Sequence, residues 1–293
     1  MGIEKLKNFS GSMVALVTPF TEDDQVDYEK LRELVHFHLE NGIDGIVALG
    51  TTAETPTLTD DEKVRVAQLV IDEVGGRIPV IVGAGSNNTM HSLELSKKYE
   101  AMGADGLLLI SPYYNKANAR GMLEHFKTVA DRVNIPIILY NVPSRTGCFI
   151  PISDVAELSK HPNVIGIKEA SGDIGYLMQT AKYVGDDFKL FSGNDNMIIP
   201  VLSVGGCGVI SVFANICPKE CHDIVELYLN GKEQEALALQ LKYLDFIDSL
   251  FIEANPIPIK EAMGLRRYRL PLCELSEGAK KVMRDKMAEV GLC

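Results

Sequence analysis

Val164-Ile165-Gly166-Ile167-Lys168 is the stretch on which the fold turns. Its apolar run has no polar alternation, the pattern of a strand buried on both faces in a parallel sheet covered by helices. Short runs of the same kind, bounded by Gly, Pro, Asn or Asp, lie upstream at Met13–Thr18, Ile43–Leu49, Pro79–Gly83, Gly106–Ile110 and Pro136–Tyr140. Two more follow downstream at Lys189–Ser192 and Cys207–Ser211. Strand starts fall about 20–35 residues apart, the size of a βα unit with short loops. The intervening segments carry helical period. Asp27 caps a pattern of Leu31, Leu34, Val35 and His38, and Asn118 caps one of Met122, His125, Phe126, Val129 and Val133. Successive βα units in this number predict an α/β fold, a (β/α)₈ TIM barrel, rather than a doubly wound sheet. A doubly wound sheet would carry a phosphate-binding fingerprint after an early strand. Gly83-Ala84-Gly85-Ser86-Asn87-Asn88 lacks the third glycine and follows the third run, so it reads as an ordinary βα loop.

After about residue 230 the pattern is purely helical. Leu237, Leu241, Leu244, Ile247 and Phe251 predict one buried stripe, and Asn255-Pro256-Ile257-Pro258 breaks that helix because proline removes a donor and disfavours helical geometry before it. A last helix is predicted from a cap at Ser276 through Ala279, Met283, Met287 and Val290, ended by Gly291. The expected organisation is a barrel catalytic domain over residues 1–230 and a packed C-terminal helical region over 231–293, with no low-complexity linker.

The 293 residues carry 29 Lys+Arg against 40 Asp+Glu, a formal charge of −11, which argues against a nucleic-acid partner because phosphate neutralisation needs clustered cations. Hydrophobic residues at 46% and charged residues at 24% suit a globular chain rather than a disordered one. No apolar run approaches the ~20 residues that span a bilayer. Met1 to Ser10 lacks the apolar core of a signal peptide, so a cytoplasmic protein is expected. Cys148, Cys207, Cys217, Cys221, Cys273 and Cys293 are scattered and read as reduced thiols. Cys217, Cys221 and His222 lack a second ligand pair at zinc-like spacing, and His36 and His38 point to different helix faces, so no metal site is expected.

Barrel active sites lie at the C-terminal ends of the strands. Those ends read Thr18, Thr51-Thr52, Ser86-Asn87, Tyr113-Tyr114, Tyr140-Asn141, Lys168-Glu169, Ser192-Gly193-Asn194 and Ser211. Lys168 is the most informative. Burial on an apolar strand disfavours an ammonium ion, and a free amine attacks carbonyls to form a Schiff base. A lysine that only ends its strand and reaches to solvent is the competing reading. Tyr140 ends the preceding strand, where a phenol can pass protons to and from the reacting oxygen. Arg145, on the loop leaving that strand, presents a guanidinium suited to a bidentate grip on a carboxylate, or to a plain surface ion pair. Gly50-Thr51-Thr52 offers hydroxyls and backbone N–H groups as a carboxylate cradle.

Seven segments stand out together. They are Gly50-Thr51-Thr52-Ala53-Glu54-Thr55-Pro56-Thr57-Leu58, Pro112-Tyr113-Tyr114-Asn115, Tyr140-Asn141-Val142-Pro143-Ser144-Arg145-Thr146-Gly147 and Gly166-Ile167-Lys168-Glu169-Ala170-Ser171-Gly172, followed by Ser192-Gly193-Asn194-Asp195, Gly208-Val209-Ile210-Ser211-Val212 and Asn255-Pro256-Ile257-Pro258-Ile259-Lys260. In this order, over nearly the whole chain, they resemble the dihydrodipicolinate synthases, within the N-acetylneuraminate lyase superfamily of class I aldolases. The resemblance implies condensation of pyruvate with L-aspartate 4-semialdehyde on a Lys168 imine, the first committed step of diaminopimelate and lysine biosynthesis. It implies a proton relay of Tyr140, Thr51 and Tyr114. Thr52 would hold the pyruvate carboxylate and Arg145 the semialdehyde carboxylate, with Gly193 and the Ile210 carbonyl at the substrate. No metal or organic cofactor is implied, because the imine nitrogen serves as electron sink. Tyr114 would reach into a neighbouring subunit's site, implying a homodimer or a homotetramer built as a dimer of dimers.

The alternative within the same class is a pyruvate-dependent aldolase acting on a sugar acid or another 2-oxo acid, disfavoured by Arg145 because a polyhydroxy substrate asks for neutral partners. A barrel retained only as a binding scaffold would have no need for Lys168, Tyr140, Thr51 and Tyr114 together. The sequence departs from the family pattern in three places. Ala53 stands where glycine is usual, which adds strain if the position requires φ > 0. Leu265-Arg266-Arg267-Tyr268-Arg269 is shorter than expected. The feedback pocket for lysine known in some members is only partly matched: Asn87 and Tyr113 fit, but His91 replaces a glutamate, and Asp60 and Lys63 replace histidines. Weak or absent lysine inhibition is therefore expected, because an ammonium ligand loses a charge-assisted bond.

Overall fold

A computed structural model of the chain describes residues 6–292; the first five residues of the stretch read above as lacking a leader, and Cys293, lie outside the described residues. Eight parallel strands close into a barrel in sequence order. They are β1 (Gly11–Ala15), β2 (Gly45–Ala48), β3 (Val80–Gly83), β4 (Gly106–Ile110), β5 (Ile137–Asn141), β6 (Val164–Glu169), β7 (Lys189–Ser192) and β8 (Gly208–Ser211). Each falls on one of the predicted apolar runs, within a few residues. The seam between β1 and β8 pairs Gly11 with Gly208. A Cβ on Gly208 would stand 1.9 Å from the Gly11 carbonyl oxygen, so the close approach that shuts the barrel requires glycine there.

Two apolar layers account for the near-continuous hydrophobicity of the strands. Met13, Val47, Ile81, Leu108, Ile138, Phe191 and Ile210 fill the barrel interior, with Leu6 and Phe9 joining from the N-terminal segment. Residues facing outward, such as Val14, Ile46, Val82 and Ile167, pack beneath the surrounding helices. The strands are therefore buried on both sides, and only positions at their C-terminal ends can combine a polar side chain with access to the outside.

The helix starts follow their caps. Asp27 accepts from the Lys30 N–H at the head of Tyr28–Glu40, and Asn118 from the Gly121 N–H at the head of Ala119–Ala130. Thr59 and Glu62 form a capping box on Asp60–Val74. Among the described residues three helices follow residue 230: Glu233–Ser249, Ile257–Ala262 and Glu277–Glu289, the last capped by Ser276 and burying Ala279, Met283 and Met287.

The predicted stripe of the Glu233–Ser249 helix is corrected. Leu237 and Leu241 are exposed, and the buried face consists of Ala236, Gln240, Tyr243, Phe246 and Ile247. Gln240 determines this rotation. Its Oε1 accepts from the Ile199 N–H at 3.0 Å and its amide donates to the Asp195 carbonyl at 3.1 Å, satisfying backbone groups of the β7 loop that burial would otherwise leave unpaired.

The Ala53 expectation is also corrected. The left-handed φ of +54° falls on Glu54, while Ala53 completes the 3₁₀ turn Thr51–Ala53. The 265–269 segment is packed: the Arg267 carbonyl accepts from Lys260, and the Tyr268 hydroxyl donates to the Ile257 carbonyl at 3.1 Å. Cys148, Cys207, Cys217, Cys221 and Cys273 are free thiols. Burial pushes the Cys217 thiol up to about 12. Among the described residues, the one group of His, Cys, Asp and Glu ligand atoms that converges is His222, Asp223 and Glu226, without either neighbouring thiol. There His222 already meets Asp44 at 2.8 Å, and Asp223 meets Lys219 at 2.6 Å. Among the described residues no helix is long and apolar enough to cross a membrane.

Candidate active site

β6 carries Lys168 to the C-terminal mouth of the barrel, 5% exposed. Strand periodicity turns Lys168 inward and its neighbour Glu169 outward. Register places Tyr140 of β5 directly beside Lys168. The Lys168 Nζ stands 4.5 Å from the centre of the Tyr140 ring, within cation–π range. The amine therefore lies over the ring of the tyrosine at the adjacent strand end.

Behind this pair, the outward residues of the same two strands hold the register. The Asn141 amide donates to Glu169 Oε2 at 2.7 Å, and the Asn141 Oδ1 accepts from the Ile150 N–H at 2.9 Å. The other Glu169 oxygen accepts from the Ser171 N–H at 2.6 Å and from the Ser171 hydroxyl. Burial pushes the Glu169 carboxyl above its usual range, against the lowering effect of these donors. Sequence reading placed both residues at the strand ends and gave neither a role; their position beside the two candidate residues was the available signal.

A cavity of about 290 Å³ opens at this end, bordered by Thr51, Tyr113, Tyr140 and Arg145 and, further out, by Lys63 and His91. Thr51 and Thr52 sit in the 3₁₀ turn after β2. Arg145 sits in the short helical turn Pro143–Thr146, which Gly147 ends with φ +71°. Lys168, Thr52, Gly193 and Ile210 do not border this cavity. Lys168 lies against the ring of Tyr140, which does. Gly193 donates to the Glu169 carbonyl at 2.6 Å, and a Cβ there would meet Ala170 at 2.5 Å, so β7 approaches β6 closely at this level. Ile210 is buried in the interior cluster.

Tyr114 is the candidate that one chain does not bring to the others. It is 91% exposed and held at φ +68°, a strained conformation for a bulky residue.

Residues of the C-terminal region close the site from behind. The Asn255 side-chain amide donates to the Thr52 hydroxyl oxygen at 3.0 Å, and its carbonyl accepts from Arg145 Nη2 at 2.9 Å. Lys260 donates to Glu54, just past the Thr51–Ala53 turn, and both side chains are fully buried. Sequence reading took Asn255-Pro256-Ile257-Pro258 as a helix break and found no contact for it.

A closed parallel barrel whose sixth strand ends in a buried lysine, with a tyrosine ring against its amine and hydroxyl and guanidinium groups at neighbouring strand ends, has the layout of a Schiff-base aldolase. The family model described as the Dihydrodipicolinate synthetase family matches residues 8–289, and the chain belongs to that family. A 4-hydroxy-tetrahydrodipicolinate synthase from Caldicellulosiruptor saccharolyticus is 52% identical over 97% of this chain and 98% of its own. The dihydrodipicolinate synthase from Thermotoga maritima superposes with a TM-score of 0.94 at 38% identity, covering 97% of this chain and 99% of that one. The chloride-inhibited dihydrodipicolinate synthase from Acinetobacter baumannii, solved complexed with pyruvate, gives the same TM-score of 0.94 at 38% identity, over 97% of this chain and 99% of that one.

Proposed function

We propose that the protein is a lyase that condenses pyruvate with L-aspartate 4-semialdehyde to 4-hydroxy-tetrahydrodipicolinate through a Schiff base on Lys168. The placement of Lys168, at the barrel mouth with its Nζ 4.5 Å from the Tyr140 ring centre, carries the reading. The names of the relatives support this substrate pair over a sugar-acid aldolase. The Lys168 amine adds to C2 of pyruvate, the carbonyl oxygen takes two protons and leaves as water, and an imine remains. Loss of a methyl proton gives the enamine, with the imine nitrogen taking the electron pair. The enamine carbon attacks the aldehyde, whose oxygen is protonated. The substrate amine then adds to the imine carbon, and Lys168 leaves as the ring closes. Tyr140 and Thr51 pass the protons.

Thr52 donates to the pyruvate carboxylate and Arg145 grips the semialdehyde carboxylate, with Gly193 and the Ile210 carbonyl bordering the bound substrates. Tyr114 completes the relay from a second copy of the chain in a homodimer or dimer of dimers. The exposure and strained backbone of Tyr114 support a place for it outside its own site. A cytoplasmic location accords with five free thiols among the described residues. Borohydride added with pyruvate should yield one reduced adduct per chain, mapped by peptide mass to Lys168, and none in Lys168→Ala. An adduct elsewhere, or none in the active enzyme, refutes the reading.

A further inference from the structure

Asn255 stands 203 positions from Thr52 and 110 from Arg145, yet it bonds both. It belongs to the C-terminal region, is 6% exposed, and its Oδ1 has no hydrogen-bond partner. A buried acceptor left unpaired destabilises a fold. The nitrogen of the same amide, by contrast, is engaged with Thr52.

A hydroxyl has one proton to donate and two lone pairs, whereas an amide nitrogen only donates. Because Asn255 Nδ2 donates to Thr52 Oγ1 at 3.0 Å, the Thr52 proton is not used on Asn255 and stays available to an acceptor on its other side. The Asn255 carbonyl, in turn, accepts from Arg145 Nη2 and fixes one end of the guanidinium. We infer that Asn255 is a positioning residue for carboxylate recognition: its side-chain amide directs the Thr52 hydroxyl proton to the pyruvate carboxylate, and its main-chain oxygen aims Arg145 at the second carboxylate. This rests on the roles given above to Thr52 and Arg145. The two functions are separable, because side-chain substitution at 255 removes the first and leaves the second.

The test measures both KM values and kcat in Asn255→Asp, Thr52→Val and the double variant. A carboxylate at 255 can only accept, so it would turn the Thr52 proton away from the substrate. Asn255→Asp should raise the KM for pyruvate by about 10- to 100-fold, the range of a hydrogen bond to a charged group, with the semialdehyde KM and kcat changed far less. Thr52→Val should raise the pyruvate KM similarly, and adding Asn255→Asp to it should change nothing further. If Thr52→Val leaves the pyruvate KM unchanged, the role given to Thr52 is wrong, and this inference falls with it. If Thr52→Val acts and Asn255→Asp does not, Thr52 keeps its role and only the inference about Asn255 is overturned. A loss spread equally over both substrates, or persisting in the Thr52→Val background, also overturns it by marking a general disruption. Asn255→Ala, which removes the donor without adding an acceptor, frees the Thr52 hydroxyl to rotate. Should the aspartate variant fail to fold, Asn255→Ala should raise the pyruvate KM by less, and only while Thr52 is present; an equal rise in the Thr52→Val background overturns the inference.

Discussion

Lys63, at the outer part of the cavity, lies with its Nζ 2.9 Å from Asp60 one helical turn away, and among the described residues no carboxylate borders the cavity itself. His91, which borders the same space, comes only within 4.0 Å of Asp60 and of Glu94. An amino-acid ammonium entering here meets a lysine and an imidazole and must displace Lys63 to gain a charge-assisted partner. Sub-millimolar L-lysine should therefore leave the initial rate of condensation unchanged. A saturable inhibition curve in that range would contradict this. For the proposed reaction, the candidate pair was legible singly: a lysine closing an apolar strand and a tyrosine closing the strand before it are local signals. Tyr114 is exposed in the single chain, so the part proposed for it in a second copy's site has no local counterpart.

The turn Thr51–Ala53 shows how an element is held to the accuracy that chemistry needs. Glu54 leaves the turn in a left-handed conformation with its carboxylate fully buried against Lys260 of the helix Ile257–Ala262. Burial pushes the Lys260 ammonium below its ordinary value, while Glu54 acts in the opposite direction. Lys260 also donates to the Arg267 carbonyl, and the Arg269 guanidinium meets Glu62 at 2.6 Å. Removing one partner of such a pair strands the other charge. Lys260→Met should cost about 3–5 kcal/mol in urea unfolding, and adding Glu54→Leu should recover much of that loss. A loss no larger in Lys260→Met than in the double variant would argue against the pair as the clamp. Helix existence was legible from caps and period, while the face of Glu233–Ser249 was not. Counting leucines chose Leu237 and Leu241, but the unpaired backbone groups near β7 required Gln240 on the inside.

For the whole molecule, acid stability depends on imidazoles buried without charge. His38 has no hydrogen-bond partner at either ring nitrogen, and desolvation lowers its pKa from 6.5 to about 3. Burial likewise lowers His125 to about 4. Below pH 6.5 the unfolded chain binds protons that the folded chain refuses, so stability falls as pH drops through that value. Between pH 7 and 5, His38 alone should remove about 2 kcal/mol of unfolding free energy. His38→Leu should flatten the dependence by that amount in denaturation curves at the two pH values, and an unchanged slope would refute the assignment. The formal charge of −11 plays no part in drawing in two carboxylate substrates. Under the proposed function their recognition falls to Lys168, Arg145 and a few donors at the C-terminal end of the barrel.

The amino-acid sequence by itself determined the eight strands, their order, the lysine at the end of the sixth and the family likeness. These are properties of short contiguous segments: an apolar run buries itself wherever it lies, and a cap acts on residues three positions away. Only the tertiary structure decided that Asn255 touches Thr52 and Arg145, that Lys260 is buried against Glu54, and that Gln240 rather than Leu237 faces inward. Each of these depends on groups between 41 and 206 positions apart meeting at hydrogen-bond distance. No periodicity encodes such a meeting, because it follows from how the barrel closes and where the C-terminal helices then find unpaired polar groups to satisfy.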